Sequence, residues 1–225
     1  RGPGFQRRTL ESSMPGILES CCMMRFDEFF VKDGRFAADG VALDEIAKYP
    51  TPLYVYSAAA VRTKYRLLKD RFPAFDICYS LKANPNPAVC SVLARAGAGA
   101  EVSSPAELAT ALAAGFVRDS IIFVAPAKAP ADIERALLSG IHAIVADSAQ
   151  ELEIIEQQAA RLGRTTRVLL RINTMEQQPE AKEVMVGGPS KFGFDEERVV
   201  AELAGLKLKH ARLAGIQVYS ASQVL

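Results

Sequence analysis

Short apolar segments alternate with amphipathic segments along this chain from Ile77 onwards. This alternation is typical of βα units, in which parallel strands form a sheet and the helices between them cover it. We therefore predict an α/β fold. The six predicted strands centre on residues 77–81, 100–102, 121–124, 143–145, 167–172 and 215–219, and the five predicted helices lie near residues 86–97, 104–115, 130–139, 148–163 and 195–205.

Two of the predicted helices begin with capping sequences. Ser104-Pro105-Ala106-Glu107 combines an N-cap serine, a proline at the first helical position and a capping-box glutamate. Ser148-Ala149-Gln150-Glu151 repeats the serine and the glutamate without the proline. Both motifs therefore predict the start of a helix.

Strand–helix alternation of this period fits two architectures. An open doubly wound sheet and a (β/α)8 barrel of the TIM type both produce it, and the pattern alone does not separate them. The chain has 225 residues, of which 49% are hydrophobic. A chain of this size and composition can bury a substantial core, so a single domain is the first expectation.

The charge composition argues against a surface for nucleic acid. The chain has 27 Lys and Arg against 26 Asp and Glu, and its longest basic run is Arg7-Arg8. The sequence contains no apolar run that would span a membrane. Residues 1–25 lack the apolar core of a signal peptide, so we predict a flexible tail or an expression remnant there. We expect a cytoplasmic protein with neither nucleic acid nor a membrane as partner.

The four cysteines do not indicate a metal site. Cys21, Cys22, Cys78 and Cys90 fit neither a zinc-binding nor a CxxC spacing, and two of them are adjacent. This arrangement favours free thiols in a reducing compartment over a disulfide framework.

Lys82 is the residue whose position most needs an explanation. Ile77, Tyr79 and Leu81 alternate with smaller residues as in a buried strand, and the Asn-Pro-Asn-Pro run that follows ends the strand. The lysine therefore lies at the carboxyl end of a strand. There it forms a salt bridge, reaches water, or loses its proton and acts as a nucleophile that forms an imine with a carbonyl group.

Residues 79–87, Tyr-Ser-Leu-Lys-Ala-Asn-Pro-Asn-Pro, resemble the lysine motif of the fold-type III pyridoxal-phosphate decarboxylases, the diaminopimelate and ornithine decarboxylase family. The resemblance extends from about Phe26 to the last residue, with the other motifs in the family's order. The motif at 51–56 resembles the family's opening strand. The others lie at 99–108, 146–152, 169–173, 190–195 and 215–223.

The resemblance selects the barrel. A (β/α)8 barrel has eight strands, and the sequence predicts six. We therefore expect residues 26–225 to form a partial pyridoxal-phosphate-binding barrel, truncated after about six strands, with the family's C-terminal β domain absent from this chain. The long connection at 174–194 is expected to be an active-site loop or partly disordered. These 225 residues alone are expected to be inactive.

The resemblance also implies a set of site residues. Lys82 matches the lysine that holds pyridoxal 5′-phosphate as an imine, and Glu101 matches an acidic position beside it. Arg171 matches a residue near the cofactor and substrate, and Ser222 a hydroxyl that binds the phosphate. The alternative for Glu101 and Arg171 is a structural ion pair on the barrel rim, and the alternative for Ser222 is an ordinary loop serine.

Tyr219 departs from the family pattern, which usually has a histidine there that stacks on the cofactor ring. A tyrosine can still stack, but it supplies no imidazolium at neutral pH. The change indicates a specialised relative of a natural-product or polysaccharide pathway. The two histidines of the chain, His142 and His210, are predicted to be structural.

The activity implied by the resemblance is that of a lyase, the decarboxylation of an α-amino acid, free or carrier-bound, in a homodimer. Two alternatives stay open. The first is a catalytically inactive, decarboxylase-like regulator or fragment that acts by subunit association. The second is a pyridoxal-phosphate-dependent racemase or cofactor carrier built on the same barrel.

Overall fold

This computed structural model describes residues 29–32, 35–175, 181–184, 190, 192–219 and 221–224. The chain divides into two compact units, one that ends at Ala60 and one that begins at Val61. The predicted tail at 1–25 lies outside the described residues. The predicted extent of the barrel domain, 26–225, therefore stays a prediction.

The first unit contains a small antiparallel sheet. Its strands are β1 (Phe29–Lys32), β2 (Arg35–Ala38) and β3 (Val41–Ala42), and a short helix, α1 (Leu43–Ile46), follows them. Residues 51–56, predicted as the opening strand, do not form one. That prediction, made from a resemblance to the family's opening strand, was wrong, since these residues pair with no strand among the described residues.

A parallel sheet dominates the second unit, and its strand order follows the chain order without a reversal. This is the order of a barrel and not that of a doubly wound sheet. All six predicted strands are confirmed within a few residues. They are β4 (Cys78–Ser80), β5 (Gly99–Val102), β6 (Ile121–Phe123), β7 (Ala143–Ala146), β8 (Thr166–Asn173) and, after two shorter strands, β11 (Ala211–Val218).

One helix precedes the first strand of this sheet, and others connect its successive strands. The longest described helix, α2, was not predicted, because its sequence is rich in basic residues and only Tyr65 is buried. The last, α7, is shorter than predicted, since residues at its expected start form a strand and a turn. No helix among the described residues is both long and apolar enough to cross a bilayer. The helices are α2 (Ala58–Arg71), α3 (Pro87–Ala96), α4 (Pro105–Ala114), α5 (Pro130–Ser139), α6 (Ala149–Arg161) and α7 (Val199–Leu203).

The two predicted capping motifs begin helices α4 and α6. The Oγ atoms of Ser104 and Ser148 accept hydrogen bonds from the backbone N–H groups of Glu107 and Glu151. The glutamate carboxylates reach one residue further back than in a standard capping box, so that Glu107 accepts from the N–H of Ser103 at 2.7 Å. Each helix start is thereby tied to the end of the strand before it.

The connection at 174–194 is more ordered than a plain loop. It contains strand β9 (Ala181–Val184), and strand β10 (Phe194–Asp195) at its end pairs in parallel with the end of β8. Strand β12 (Ala221–Val224) pairs antiparallel with β9. Ser222 lies in β12, but its side chain is outside the described part. Residues 176–180, 185–189 and 191 are outside it as well.

The core lies between the parallel sheet and its helices. Strand β7 is buried along its whole length, as expected for a central strand covered on both faces. Cys78 and Cys90 are free thiols, as predicted, whereas Cys21 and Cys22 lie outside the described residues.

One carboxylate fastens helix α6 to the start of β11. The Glu156 oxygens accept hydrogen bonds from the backbone N–H groups of Lys209 (3.0 Å), His210 (2.8 Å) and Ala211 (2.7 Å). Burial raises the pKa of Glu156, but the three donors together outweigh it and the net pKa is lowered. The ionised form is therefore the one that the fold stabilises.

Replacing Glu156 tests this attachment. Glu156→Ala should lower the free energy of unfolding by about 1–2 kcal/mol, because it removes a charged acceptor from a partly exposed site. Glu153→Ala, on the exposed side of the same helix, should change it little. Since the folded pKa of Glu156 is lowered, its contribution is present above the unfolded pKa and is lost as the pH falls through the folded pKa. Denaturant unfolding at neutral and acidic pH measures this. Equal losses in both variants would contradict it.

Gly193 allows the loop before β10 to approach strand β8 closely. Its φ is +78°, and a Cβ there would lie 2.7 Å from the carbonyl oxygen of Arg171. Gly115 also has a positive φ, +94°, but nothing lies within 4 Å of its would-be Cβ.

Gly193→Ala should therefore destabilise the fold more than Gly115→Ala does. Both variants incur left-handed backbone strain of roughly 1–2 kcal/mol, and only Gly193→Ala adds a collision with the backbone, which costs about 1–3 kcal/mol more. Denaturant unfolding of the two variants measures the difference. Equal destabilisation would show that the loop yields without cost.

Candidate functional site

The carboxyl ends of the parallel strands surround an open cavity of about 570 Å³. Four of the five predicted site residues line it: Lys82, Glu101, Arg171 and Tyr219. The structure thus brings together side chains that follow β4 and β11, the strands at the two outer edges of the described sheet. Ser222 is not placed there or elsewhere, because its side chain lies outside the described part. The cavity is completed by Ser80, Val124, Pro126, Phe192 and Gln217.

Lys82 lies in a turn just after strand β4 and not within it. The N–H of Ala83 donates to the carbonyl oxygen of Ser80, at 3.2 Å, and closes the turn. Asn86 then caps helix α3, since its Oδ1 accepts from the N–H of Ala88 at 2.9 Å. The Asn-Pro run therefore fixes the lysine between the end of a strand and the start of a helix.

The Lys82 ammonium group is paired but accessible. Its Nζ lies 2.9 Å from Glu101 Oε1, and 58% of its side chain is exposed, against 29% for Glu101. The Ser80 hydroxyl donates to the same carboxylate oxygen at 2.9 Å. Of the three situations considered for this lysine, the structure shows a salt bridge at the mouth of a cavity. The pairing holds the Lys82 ammonium group at the mouth of the cavity, where it becomes a nucleophile when it gives up a proton.

Arg171 is more buried, with 11% of its side chain exposed. Its Nη1 lies 3.5 Å from Asp147 Oδ1, and its guanidinium carbon lies 4.7 Å from the centre of the Phe192 ring. Glu101 and Arg171 thus belong to two separate ion pairs. Both face one cavity, which a purely structural pair on the rim would not explain by itself.

A buried ion network stands behind Arg171, and its lysine was not found in the sequence. Lys128 Nζ lies 2.9 Å from Glu151 Oε2 and 3.5 Å from Asp147 Oδ2, and it donates to the carbonyl oxygen of Ala125. Burial raises the pKa of Asp147, while the nearby Lys128 partly offsets this. Asp147 and Glu151 belong to a recognised motif, but a lysine after the third strand has no local pattern that reveals its burial. Its position after a parallel strand indicated that it lies at the carboxyl edge of the sheet, but not that it is buried.

Tyr219 follows strand β11 and is partly exposed to the cavity. Gln217, two residues earlier, also lines the cavity, and its Oε1 is buried without a hydrogen-bond partner among the described residues. The two histidines lie at the amino ends of strands. His210 Nδ1 is 3.1 Å from the carbonyl oxygen of Arg164, and His142 Nδ1 is 3.3 Å from Asp119, in line with structural roles.

Comparison with known proteins identifies the family of this chain. The model of the family described as pyridoxal-dependent decarboxylase, pyridoxal binding domain, matches residues 58–225. The chain is 37% identical over 180 residues to an L-glutamyl-[BtrI acyl-carrier protein] decarboxylase from Niallia circulans, covering 79% of this chain and 42% of that protein. It is 36% identical to a diaminopimelate decarboxylase from Pseudomonas aeruginosa, covering 88% and 49%.

The solved structure of a diaminopimelate decarboxylase from Methanocaldococcus jannaschii in complex with L-lysine has a TM-score of 0.80 and 32% identity, covering 89% of this chain and 49% of that one. The chain thus spans about half the length of the curated relatives it matches. The family model covers most of this chain and includes every residue that lines the cavity. This chain therefore belongs to the pyridoxal-dependent decarboxylase family.

Proposed function

We propose that Lys82 is the attachment site of pyridoxal 5′-phosphate and that the protein of which this chain is a part decarboxylates an α-amino acid. The observation that supports this most directly is the accessible Lys82–Glu101 pair, 2.9 Å apart. It opens into the cavity that Arg171 and Tyr219 also line. The named relatives that catalyse amino-acid decarboxylation support the choice of reaction.

The residues present fit this cofactor. A cavity of about 570 Å³ lies within the usual range for small-molecule sites. It offers an amine for the aldehyde, an aromatic face for the ring and guanidinium donors for an anionic group. The buried Gln217 oxygen that lacks a hydrogen-bond partner in the described part of the chain is an acceptor that a ligand donor would satisfy.

When bound, the cofactor supplies an aldehyde for covalent attachment and a conjugated ring that takes up the electrons left when CO2 departs. Lys82 holds the attachment point, and Glu101 holds its ammonium group and can accept its proton. Arg171 orients anionic groups through fixed N–H donors. Tyr219 packs a ring face against a planar ligand, and the Ser222 hydroxyl is proposed to donate a hydrogen bond to the phosphate.

The substrate is proposed to be an α-amino acid, free or carrier-bound. Relatives of similar identity are named for each kind: one acts on a glutamyl group on an acyl-carrier protein and another on diaminopimelate. A racemase, a cofactor carrier or an inactive regulator on the same barrel would release no CO2. We also propose a cytoplasmic homodimer, and no turnover by these 225 residues alone, since the outer edges of β4 and β11 have no partner strand among the described residues.

Labelling at Lys82 tests the attachment site. After incubation with pyridoxal phosphate and borohydride reduction, peptide mapping should find the added group on Lys82, because this lysine is accessible and faces the cavity. Lys82→Ala should abolish the label. Lys69→Ala, which removes another accessible lysine that is paired with a carboxylate, Asp76, should leave the Lys82 label unchanged. Uniform labelling of surface lysines would overturn the assignment.

Variants of Tyr219 separate stacking from proton transfer. Tyr219→Phe should keep most of the activity of the full-length protein, whereas Tyr219→Ala should weaken cofactor retention by about 1 kcal/mol, the scale of an aromatic pair. Cofactor release on dilution and CO2 release measure the two effects. A large loss of turnover in Tyr219→Phe would show instead that the hydroxyl takes part in the reaction.

A further inference from the structure

We infer that Asp147 is a positioning residue that holds the Arg171 guanidinium at the Lys82 cavity. The inference rests on the proposed function only for the identity of the ligand that Arg171 meets. It depends on how four charged side chains pair with one another, those of Lys128, Asp147, Glu151 and Arg171.

Arg171 is held on two sides. Its Nη1 lies 3.5 Å from Asp147 Oδ1, and its guanidinium plane lies over the Phe192 ring, with 4.7 Å to the ring centre. A ring face attracts the guanidinium but does not fix its rotation, whereas a carboxylate on one edge does. Asp147 therefore limits how the Arg171 guanidinium is rotated in the cavity that Lys82 also lines.

The side-chain contacts of the Asp147 carboxylate in the described part of the chain are with cations. Only 10% of its side chain is exposed, and neither oxygen has a hydrogen-bond partner among the described residues. One oxygen faces Lys128 and the other faces Arg171, each at 3.5 Å. Among the described residues, it is these two cations that stabilise the buried aspartate.

Lys128 does not need Asp147 for its own charge. Its side chain is completely buried, and Glu151 Oε2 lies closer to it, at 2.9 Å. The Glu151 carboxylate is in turn fixed by the backbone N–H groups of Lys128 (3.0 Å) and Asp147 (2.8 Å). Because Glu151 also compensates Lys128, Asp147 is shared between the two cations, and part of its negative charge acts on Arg171.

The loop that delivers Lys128 is strained. Ala127 has a φ of +49°, a left-handed conformation that costs a residue with a side chain about 1–2 kcal/mol. Strain of this kind persists only where surrounding contacts enforce it. Here the contacts of the buried Lys128 side chain do so, which indicates that the network is built into the fold.

The test uses Asp147→Asn, which removes the charge and keeps the shape. Asp119→Asn is the matched control. It removes an aspartate 2.6 Å from Arg167, an arginine at the opposite end of the same strand. Phenylglyoxal, which modifies arginine side chains, is applied to the cofactor-free chain, and mass spectrometry gives the rate at each arginine.

Asp147→Asn should raise the modification rate of Arg171 by about fivefold, the scale of one lost ion pair, and leave Arg167 unchanged. Asp119→Asn should instead raise the modification rate of Arg167 and leave that of Arg171 unchanged. In the same preparations, the pyridoxal phosphate concentration that half-labels Lys82 should rise in Asp147→Asn and not in Asp119→Asn. If wild-type Lys82 takes no label, the proposed function fails, and the arginine rates still decide the role of Asp147.

An unchanged Arg171 rate in a folded Asp147→Asn variant, verified by its unfolding transition, would overturn the inference. If that variant does not fold, Asp147→Glu takes its place, because it keeps the charge and displaces it. Either a faster Arg171 or a higher half-labelling concentration in Asp147→Glu supports the positioning role. Wild-type values for both would refute it.

Discussion

The pairing of opposite charges at the carboxyl edge of the parallel sheet is the constraint on which the site depends. Parallel strands bring their carboxyl ends to one edge, and the cations at that edge include, in the described part of the chain, Lys82, Lys128 and Arg171. Each lies within 3.5 Å of a carboxylate oxygen, those of Glu101, Glu151 and Asp147 respectively. Without these carboxylates the cations would repel one another at a partly buried edge.

Exposure separates the two lysines of this edge. Both follow a strand and both pair with a glutamate at 2.9 Å. The side chain of Lys128 is completely buried, whereas 58% of that of Lys82 is exposed. A buried, fully paired ammonium group supports structure, and an accessible one beside a proton acceptor can react. The same residue type after two strands of one sheet is thus suited to two different tasks.

Much of the fold could be predicted because strands and helices have distinct periods. All six predicted strands and the capped starts of α4 and α6 agree with local sequence patterns. Helix α2 was missed because basic residues obscure its apolar face. Residues 51–56 were predicted as a strand from their resemblance to the family's opening strand, and a resemblance does not reveal whether a neighbouring strand pairs with them.

Only part of the site could be predicted from the sequence. Lys82, Glu101, Arg171 and Tyr219 were selected from the family resemblance. Their gathering around one cavity agrees with the rule that parallel strands end at a common edge. The burial of Lys128 was not predictable, since it depends on the left-handed turn at Ala127 and on a glutamate one helix further along. Such contacts arise from tertiary structure and leave no local pattern.

A single extra residue in β11 decides which of its side chains reach the site. Leu213 pairs with Val168, but Gly215 pairs with Leu169, so Ala214 is an irregularity in the ladder. Since side chains alternate between the faces of a strand, a shift of one residue exchanges the faces. With the irregularity, Gln217 lies opposite Arg171, and both line the cavity.

Without that extra residue, Ile216 would take the position opposite Arg171, and apolar side chains would replace Gln217 and Tyr219 on the cavity face. Ile216 instead points away from the cavity side and is 66% exposed. The irregularity in β11 therefore contributes to the site as directly as the lysine does, because it determines that an amide and an aromatic ring face the Lys82–Glu101 pair.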